Sequence, residues 1–129
     1  MISLSDGLST IELPPDLHWQ DELWSPVAQQ TEYTIGGAMV VEPAAKLAGR
    51  PVTLVGDDKH SWIRRETLEA LLSFAAMPGQ VFTLTLHDKT FSVMMRHQDT
   101  AIEAEPIFPA IPLAGNHWYN NFTLRLMII

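Results

Sequence analysis

Apolar and polar residues alternate along three segments in the second half of the chain. In QVFTLTL (residues 80–86) and FSVMMRH (residues 91–97), every second residue from Phe82 to Leu86 and from Phe91 to Met95 is apolar, as in strands with one buried face. The polar HDKT between them predicts a four-residue turn and therefore a β-hairpin. The segment YNNFTLRLMII (residues 119–129) alternates in the same way and predicts a further strand.

Shorter patterns predict three more strands. YTIGGAMVVE (residues 33–42) reads as one strand, in which the pair Gly36-Gly37 suits a bulge or a close backbone approach. RPVTLVG (residues 50–56) is a β-branched run that ends at a glycine and two aspartates. AIEAEP (residues 101–106) predicts a short strand.

The hydrophobic period changes between these strands. Apolar residues recur at i, i+3, i+4 and i+7, which places them on one face of a helix. Pro78-Gly79 ends the pattern, so we expect one packed α-helix over about residues 64–77. The stripe consists of Leu68, Leu71, Leu72 and Ala75.

The first thirty residues lack any clear period. Pro14, Pro15 and Pro26 interrupt them, so we expect residues 1–30 to form an irregular N-terminal arm with one short strand at most. The 129 residues fit a single domain. The predicted fold is mainly β, with β-sandwich-like antiparallel sheets and one packed helix over residues 31–129.

Composition narrows the range of partners. The chain has 8 basic and 15 acidic residues, a formal net charge of -7, and 18% charged residues. Nucleic acids and anionic membranes both require a basic surface, so neither is an expected partner. The chain has no cysteine, which excludes disulfides and thiolate metal sites. Low charge with four Trp and six Met favours a protein–protein interface.

Pairs of polar residues offer little catalytic chemistry. His18 and Glu22 are spaced i, i+4, but the surrounding prolines argue against the helix that a shared metal would need. Asp57-Asp58 is typical of a solvated turn, and Glu103 with Glu105 of an exposed strand face. No phosphate-binding loop or nucleophile motif occurs. We therefore expect no enzymatic activity, no metal and no cofactor.

Aromatic residues are the remaining candidates for function. Trp19 and Trp24 lie in HWQDELWSPV (residues 18–27), and Trp118 and Tyr119 lie at the start of the last predicted strand. Trp and Tyr are frequent anchors of protein interfaces. The same residues could instead pack in the core or, as a weaker alternative, stack on sugars. We predict an interface role, with Trp19 and Trp24 reaching a neighbouring subunit.

The order of elements resembles a family of bacteriophage proteins. Gly49-Arg50-Pro51 in a strand, Trp62, the helix ending at Pro78-Gly79, the apolar hairpin and Glu103-Ala104-Glu105-Pro106 resemble the distal tail protein family. The similarity is to its N-terminal domain and to related minor tail proteins, including those of Mu-like prophages. It covers roughly residues 33–129.

The resemblance implies a structural role in a tail tip or baseplate. Members form a ring, usually of six copies, that joins the tail tube to the hub. It implies a virion protein, assembled in the cytoplasm of a bacterial host, with other tail proteins and further copies of itself as partners. Longer members carry a second, sugar-binding-like domain, and this sequence does not include one. The alternative function is a carbohydrate- or receptor-binding module of a tail.

Overall fold

A computed structural model describes residues 2–46, 49–107 and 117–129. The expected fold class is confirmed: the protein is mainly β, with antiparallel sheets and a single α-helix, α1 (Arg65–Ala75), in the described chain. A short 3-10 turn covers His97–Asp99. The strands are β1 (Ile2–Ser5), β2 (Thr10–Leu13), β3 (His18–Trp19), β4 (Val27–Tyr33), β5 (Met39–Ala45), β6 (Arg50–Val55), β7 (Ile63–Arg64), β8 (Phe82–Leu86), β9 (Lys89–Met95), β10 (Ile102–Pro106) and β11 (Trp118–Ile128).

The main sheet has nine antiparallel strands. Its order is β2-β1-β8-β9-β11-β6-β3, and β10 and β7 pair with the first half of β11. β11 is therefore the central strand, because it bonds to four others. Its alternating burial follows the alternation in its sequence, as predicted for the terminal segment.

The core lies between the main sheet and α1. Leu71 is fully buried, and Phe74 stacks on Phe82 with ring centroids 5.1 Å apart. The helical stripe is confirmed except at Leu72, which is exposed. The largest fully buried side chains are Phe82, Phe122, Ile2, Leu4, Leu54, Leu71, Leu84, Leu124, Leu126, Val52 and Val93.

The predicted N-terminal arm is wrong at its start. β1 lies between β2 and β8, with Ile2 opposite Leu86 and Leu4 opposite Leu84. Ile2 and Leu4 are buried among the largest core side chains. The prolines after Leu13 led to the error. They end β2 without preventing the two short strands before them.

The glycine pair also has a different role from the predicted one. β4 and β5 form a separate two-stranded sheet, in which Tyr33 pairs with Met39. The chain reverses between them, and Gly37 adopts a φ of 83°, which favours glycine. The expected single strand over residues 33–42 is therefore the end of one strand, a turn and the start of the next.

The predicted hairpin of β8 and β9 is confirmed, with a tighter turn than expected. The strand pairing continues to Leu86 opposite Lys89, so only His87 and Asp88 connect the strands. His87 has a φ of 54°, the left-handed backbone that two-residue hairpin turns require.

Candidate interaction surface

The hairpin of β4 and β5 stands apart from the rest of the fold. All fourteen residues of its strands are exposed, although the pairing extends over seven residue pairs. In the described chain, each of these strands pairs only with the other. A two-stranded hairpin is marginally stable in isolation, so this length and exposure favour a partner that covers it.

The two faces of this hairpin differ in charge. Residues paired across antiparallel strands lie on the same face, and neighbours along a strand lie on opposite faces. One side, the acidic face, carries Glu32 and Glu42 with Gln30, Ala28, Val40 and Ala44. The other side has no charge, and we call it the uncharged face. Its residues are Val27, Gln29, Thr31, Tyr33, Met39, Val41, Pro43 and Ala45.

The base of the hairpin is held by contacts around Trp24. Trp24 is half-buried, and Lys46 Nζ lies 4.3 Å from the centroid of its ring. The Lys46 backbone nitrogen donates to the Pro26 carbonyl oxygen at 2.9 Å. Arg50 Nη2 donates to the Glu22 carbonyl oxygen at 2.9 Å. Trp24 thus contacts its own chain at the point where the hairpin leaves the body.

Trp19 packs within its own subunit, in β3. Its ring meets Phe91 edge-on at 5.8 Å, and the Arg50 guanidinium lies 4.7 Å from its centroid. Its Nε1 donates to Asp21 Oδ1 at 2.8 Å. These contacts pack the half-buried Trp19 against the core of its own subunit, and its role as an anchor on a neighbouring subunit stays a prediction.

Asp21 connects the N-terminal segment to the main sheet. Its Oδ1 accepts from the Thr53 backbone nitrogen at 2.8 Å, and its Oδ2 accepts from Thr53 Oγ1 at 2.8 Å. Arg96 Nη2 donates to the same Thr53 hydroxyl at 2.6 Å, and Arg96 Nη1 lies 3.9 Å from Asp21 Oδ2. No local sequence pattern indicates this cluster, because Asp21, Thr53 and Arg96 are more than thirty residues apart along the chain.

Trp118 and Tyr119 point to opposite sides of β11. Tyr119 is 8% exposed, and its hydroxyl accepts a hydrogen bond from Arg65 Nη1 at 2.8 Å. Trp118 is 40% exposed, with the Arg64 guanidinium 4.7 Å from its ring centroid. Trp118 is therefore accessible to a partner, whereas Tyr119 belongs to the core.

A groove of about 250 Å³ runs beside Trp118. Trp62, which is 42% exposed, lines it together with Trp118, Arg64 and Glu12. Trp62 Nε1 donates to the Asp58 carbonyl oxygen at 3.0 Å, which fixes the ring. Two accessible indoles with charged neighbours can bind either a protein side chain or a sugar.

The loop after β6 carries polar groups that serve the fold. Asp57 Oδ1 accepts from the backbone nitrogens of Lys59 and His60, as expected for a solvated turn. Ser61 is 4% exposed, and its hydroxyl donates to Asp16 Oδ1 at 2.8 Å. Ser61 thereby joins the loop after β6 to the segment that follows β2.

The Asp57–His60 contact should depend on pH. The Asp57 side chain, 3.1 Å from His60 Nδ1, raises the pKa of His60 above 6.5. Backbone hydrogen bonds from Lys59, followed by the His60 contact, lower the pKa of Asp57 below 3.8. The contribution of protonated His60 to folding stability is full below pH 6.5 and is lost as pH rises through the raised pKa of His60. The contribution of the Asp57 carboxylate to folding stability is full above pH 3.8 and is lost as pH falls through the lowered pKa of Asp57.

Both contributions are therefore full between pH 3.8 and 6.5. An NMR titration of the histidine ring protons should give His60 a pKa above 6.5. Asp57→Asn should lower that pKa, and the more distant Asp58→Asn should lower it less. Equal effects of the two substitutions would contradict the assigned contact.

His18, Glu103 and Glu105, the other polar residues considered from the sequence, lie in different places and contact different partners. His18 lies in β3, and Glu103 contacts Arg125 Nη1 at 3.1 Å. Glu105 Oε2 accepts from Asn121 Nδ2 at 3.1 Å. Among residues 2–46, 49–107 and 117–129, no three His, Asp or Glu side chains come together in a way that could hold a metal.

Similarity to known proteins does not identify a family for this chain. No protein-family model, curated protein or solved structure gives a significant match to this chain. Within the described residues, none of the helical segments has the length and apolar character needed to cross a membrane. The geometry of the exposed hairpin therefore carries the functional argument.

The sequence contains a signal for this hairpin besides the single strand predicted over residues 33–42. VAQQTEY and MVVEPAA flank TIGGA, and in the observed register the seven residues of one segment pair with the seven of the other. The proline at position 43 and the weak alternation hid the second strand. Treating the two glycines as a turn would have revealed both strands.

Proposed function

We propose that this protein is a structural component of a bacteriophage or prophage tail tip or baseplate. It acts as a distal-tail-type adaptor that assembles into a ring, with six as the expected number of copies, and joins the tail tube to the hub. Its partners are other tail proteins and further copies of itself. Its location is the virion.

The uncharged face of the hairpin carries this proposal. Tyr33, Met39 and Val41 are exposed on a face without charge, on an element that projects from the body. Burial of such side chains stabilises an assembly by about 25 cal/mol for each Å² of apolar surface removed from water. The order of elements resembles that of distal tail proteins, and this resemblance supports a ring as the type of assembly.

Substitutions on the two faces of β5 test the role of the hairpin. Met39→Lys with Val41→Lys places two charges on the uncharged face and should abolish ring assembly. Val40→Lys with Glu42→Lys changes the neighbouring residues, which lie on the acidic face, and should leave assembly intact. Light scattering over a range of concentrations gives the mass, and negative-stain imaging shows whether a closed ring forms.

The outcome for the unmodified protein decides the proposal. A closed ring that only the uncharged-face variant loses is the expected result. A monomer at every concentration, or equal loss in both variants, would contradict assembly through this face. Circular dichroism of each variant controls for folding.

The groove at Trp62 and Trp118 favours a second candidate function, a carbohydrate- or receptor-binding module of a tail. Both indoles are accessible, and Glu12 and Arg64 supply hydrogen-bonding groups beside them. A glycan screen with the monomer distinguishes the two functions. Binding that is lost on Trp118→Ala and retained on Leu72→Ala, another exposed apolar residue, would favour this alternative.

A further inference from the structure

The two outer edges of the β4–β5 hairpin are not equivalent. The Thr34 backbone nitrogen donates to Ala38 at 2.7 Å, and that of Lys46 donates to Pro26 at 2.9 Å. Antiparallel pairs alternate between bonded and non-bonded, so these two bonds fix which residues bond inward. The even-numbered residues of both strands bond inward. The odd-numbered ones direct their backbone groups outward.

Pro43 closes the outer edge of β5. It is odd-numbered, so the position where its N–H would lie faces outward, and its ring occupies that space. A strand cannot pair along the middle of β5. The outer edge of β4 has no proline, and its outward-directed backbone groups belong to Val27, Gln29, Thr31 and Tyr33.

Other edges in the described chain are shorter or obstructed. β3 has only two residues. The bond from Asp6 to Ser9 fixes the pattern of β2, which directs only Thr10 and Glu12 outward before Pro14. β10 carries a register shift and ends in Pro106. None of these edges matches the four outward-directed residues of β4.

We infer that the outer edge of β4 pairs antiparallel with the same edge of a second copy, about a two-fold axis at Gln30. In this register Val27 lies opposite Tyr33 of the second copy, and Gln29 opposite Thr31. The four bonded pairs form about eight backbone hydrogen bonds. The result is a four-stranded sheet shared by two subunits, which binds through its main chain.

The charges and faces of β4 fit this register. Glu32 lies opposite Ala28 of the second copy, and the two Glu32 carboxylates are about 13 Å apart along the strand direction. Like charges therefore do not face each other. Because odd-numbered residues pair together, the uncharged faces of both copies lie on the same side and form one continuous surface. The inference goes beyond the proposed tail role and does not depend on it.

Disulfide trapping tests the pairing without interference, because the chain has no cysteine. Gln30→Cys places two thiols at a non-bonded pair with about 4.5 Å between Cα atoms, within the range that a disulfide spans. Glu42→Cys is the matched control. Glu42 pairs with Gln30 on the same face of the hairpin, but it lies about 14 Å from its counterpart in the dimer.

Purified full-length Gln30→Cys should form covalent dimers on the order of tenfold faster than Glu42→Cys under mild oxidation. Equal rates, or no dimer from Gln30→Cys, would overturn the pairing. Faster trapping through Gln29→Cys or Thr31→Cys would overturn the stated register.

Thr31→Pro provides a test without thiols. The Thr31 N–H points outward, so proline removes an intersubunit bond and leaves the bonds between β4 and β5 in place. At concentrations too low for ring assembly, light scattering should show a dimer for the unmodified protein and a monomer for Thr31→Pro. A dimer that survives in a folded Thr31→Pro variant would overturn the inference. If the protein forms a ring but Gln30→Cys forms no covalent dimer, only the β4 pairing is refuted. If Gln30→Cys forms a covalent dimer but the protein forms no ring, only the tail role is refuted.

Discussion

Leu4→Ala should lower the free energy of unfolding by about 3 kcal/mol. The side chain is 0% exposed and lies between β2 and β8, opposite Ile11 and Leu84. Removing a buried leucine loses its transfer free energy and leaves a cavity, which together cost about 2.7–5 kcal/mol in well-packed cores. Chemical denaturation followed by circular dichroism measures the change.

Leu8→Ala is the control for this experiment. Leu8 is 96% exposed in the turn between β1 and β2, so its truncation should change stability by less than about 0.5 kcal/mol. If Leu4→Ala had an effect as small as that of Leu8→Ala, residues 2–13 would behave as a detached arm. The sheet position of β1 would then be contradicted.

Asp21→Ala should lower the free energy of unfolding by about 2–3 kcal/mol. The substitution removes the acceptor for the backbone and hydroxyl of Thr53 and for Trp19 Nε1. It also leaves the largely buried Arg96 without this carboxylate. Unpaired buried donors cost about 1–3 kcal/mol, and more when a charge is involved. The same denaturation experiment measures the loss.

Asp58→Ala is the matched control for Asp21→Ala. Asp58 is exposed, and the contact it makes with Trp62 uses its backbone carbonyl, which the substitution retains. Its removal should be nearly neutral. A neutral effect of Asp21→Ala would show that the hydrogen bonds around Thr53 do not hold β3 against β6.

The central elements could be predicted because their patterns are local. Leu68 and Leu71 share a helical face, and Phe122, Leu124 and Leu126 share a strand face, so local periodicity specifies them. β1 was missed because four residues are too few to establish a period. Its burial depends on pairing with β8, some eighty residues away in sequence.

The candidate site was predicted less completely than the core. Trp118 is accessible, whereas Tyr119 and Trp19 pack against their own subunit, where Arg65 and Asp21 bond to their polar atoms. An aromatic residue in an irregular segment has the same sequence signature in either case. Only the fold determines which face of a strand it occupies.

The proline in β5 also limits how far these subunits can extend a shared sheet. A hairpin with two unpaired edges can pair with another copy on each side and so extend into a β-sheet of unlimited length. Because Pro43 blocks the outer edge of β5, only the outer edge of β4 can pair with another copy. Pairing of two copies covers both open β4 edges, so the shared sheet ends at four strands and the hairpin is protected from fibre formation, while the uncharged faces stay available for ring assembly.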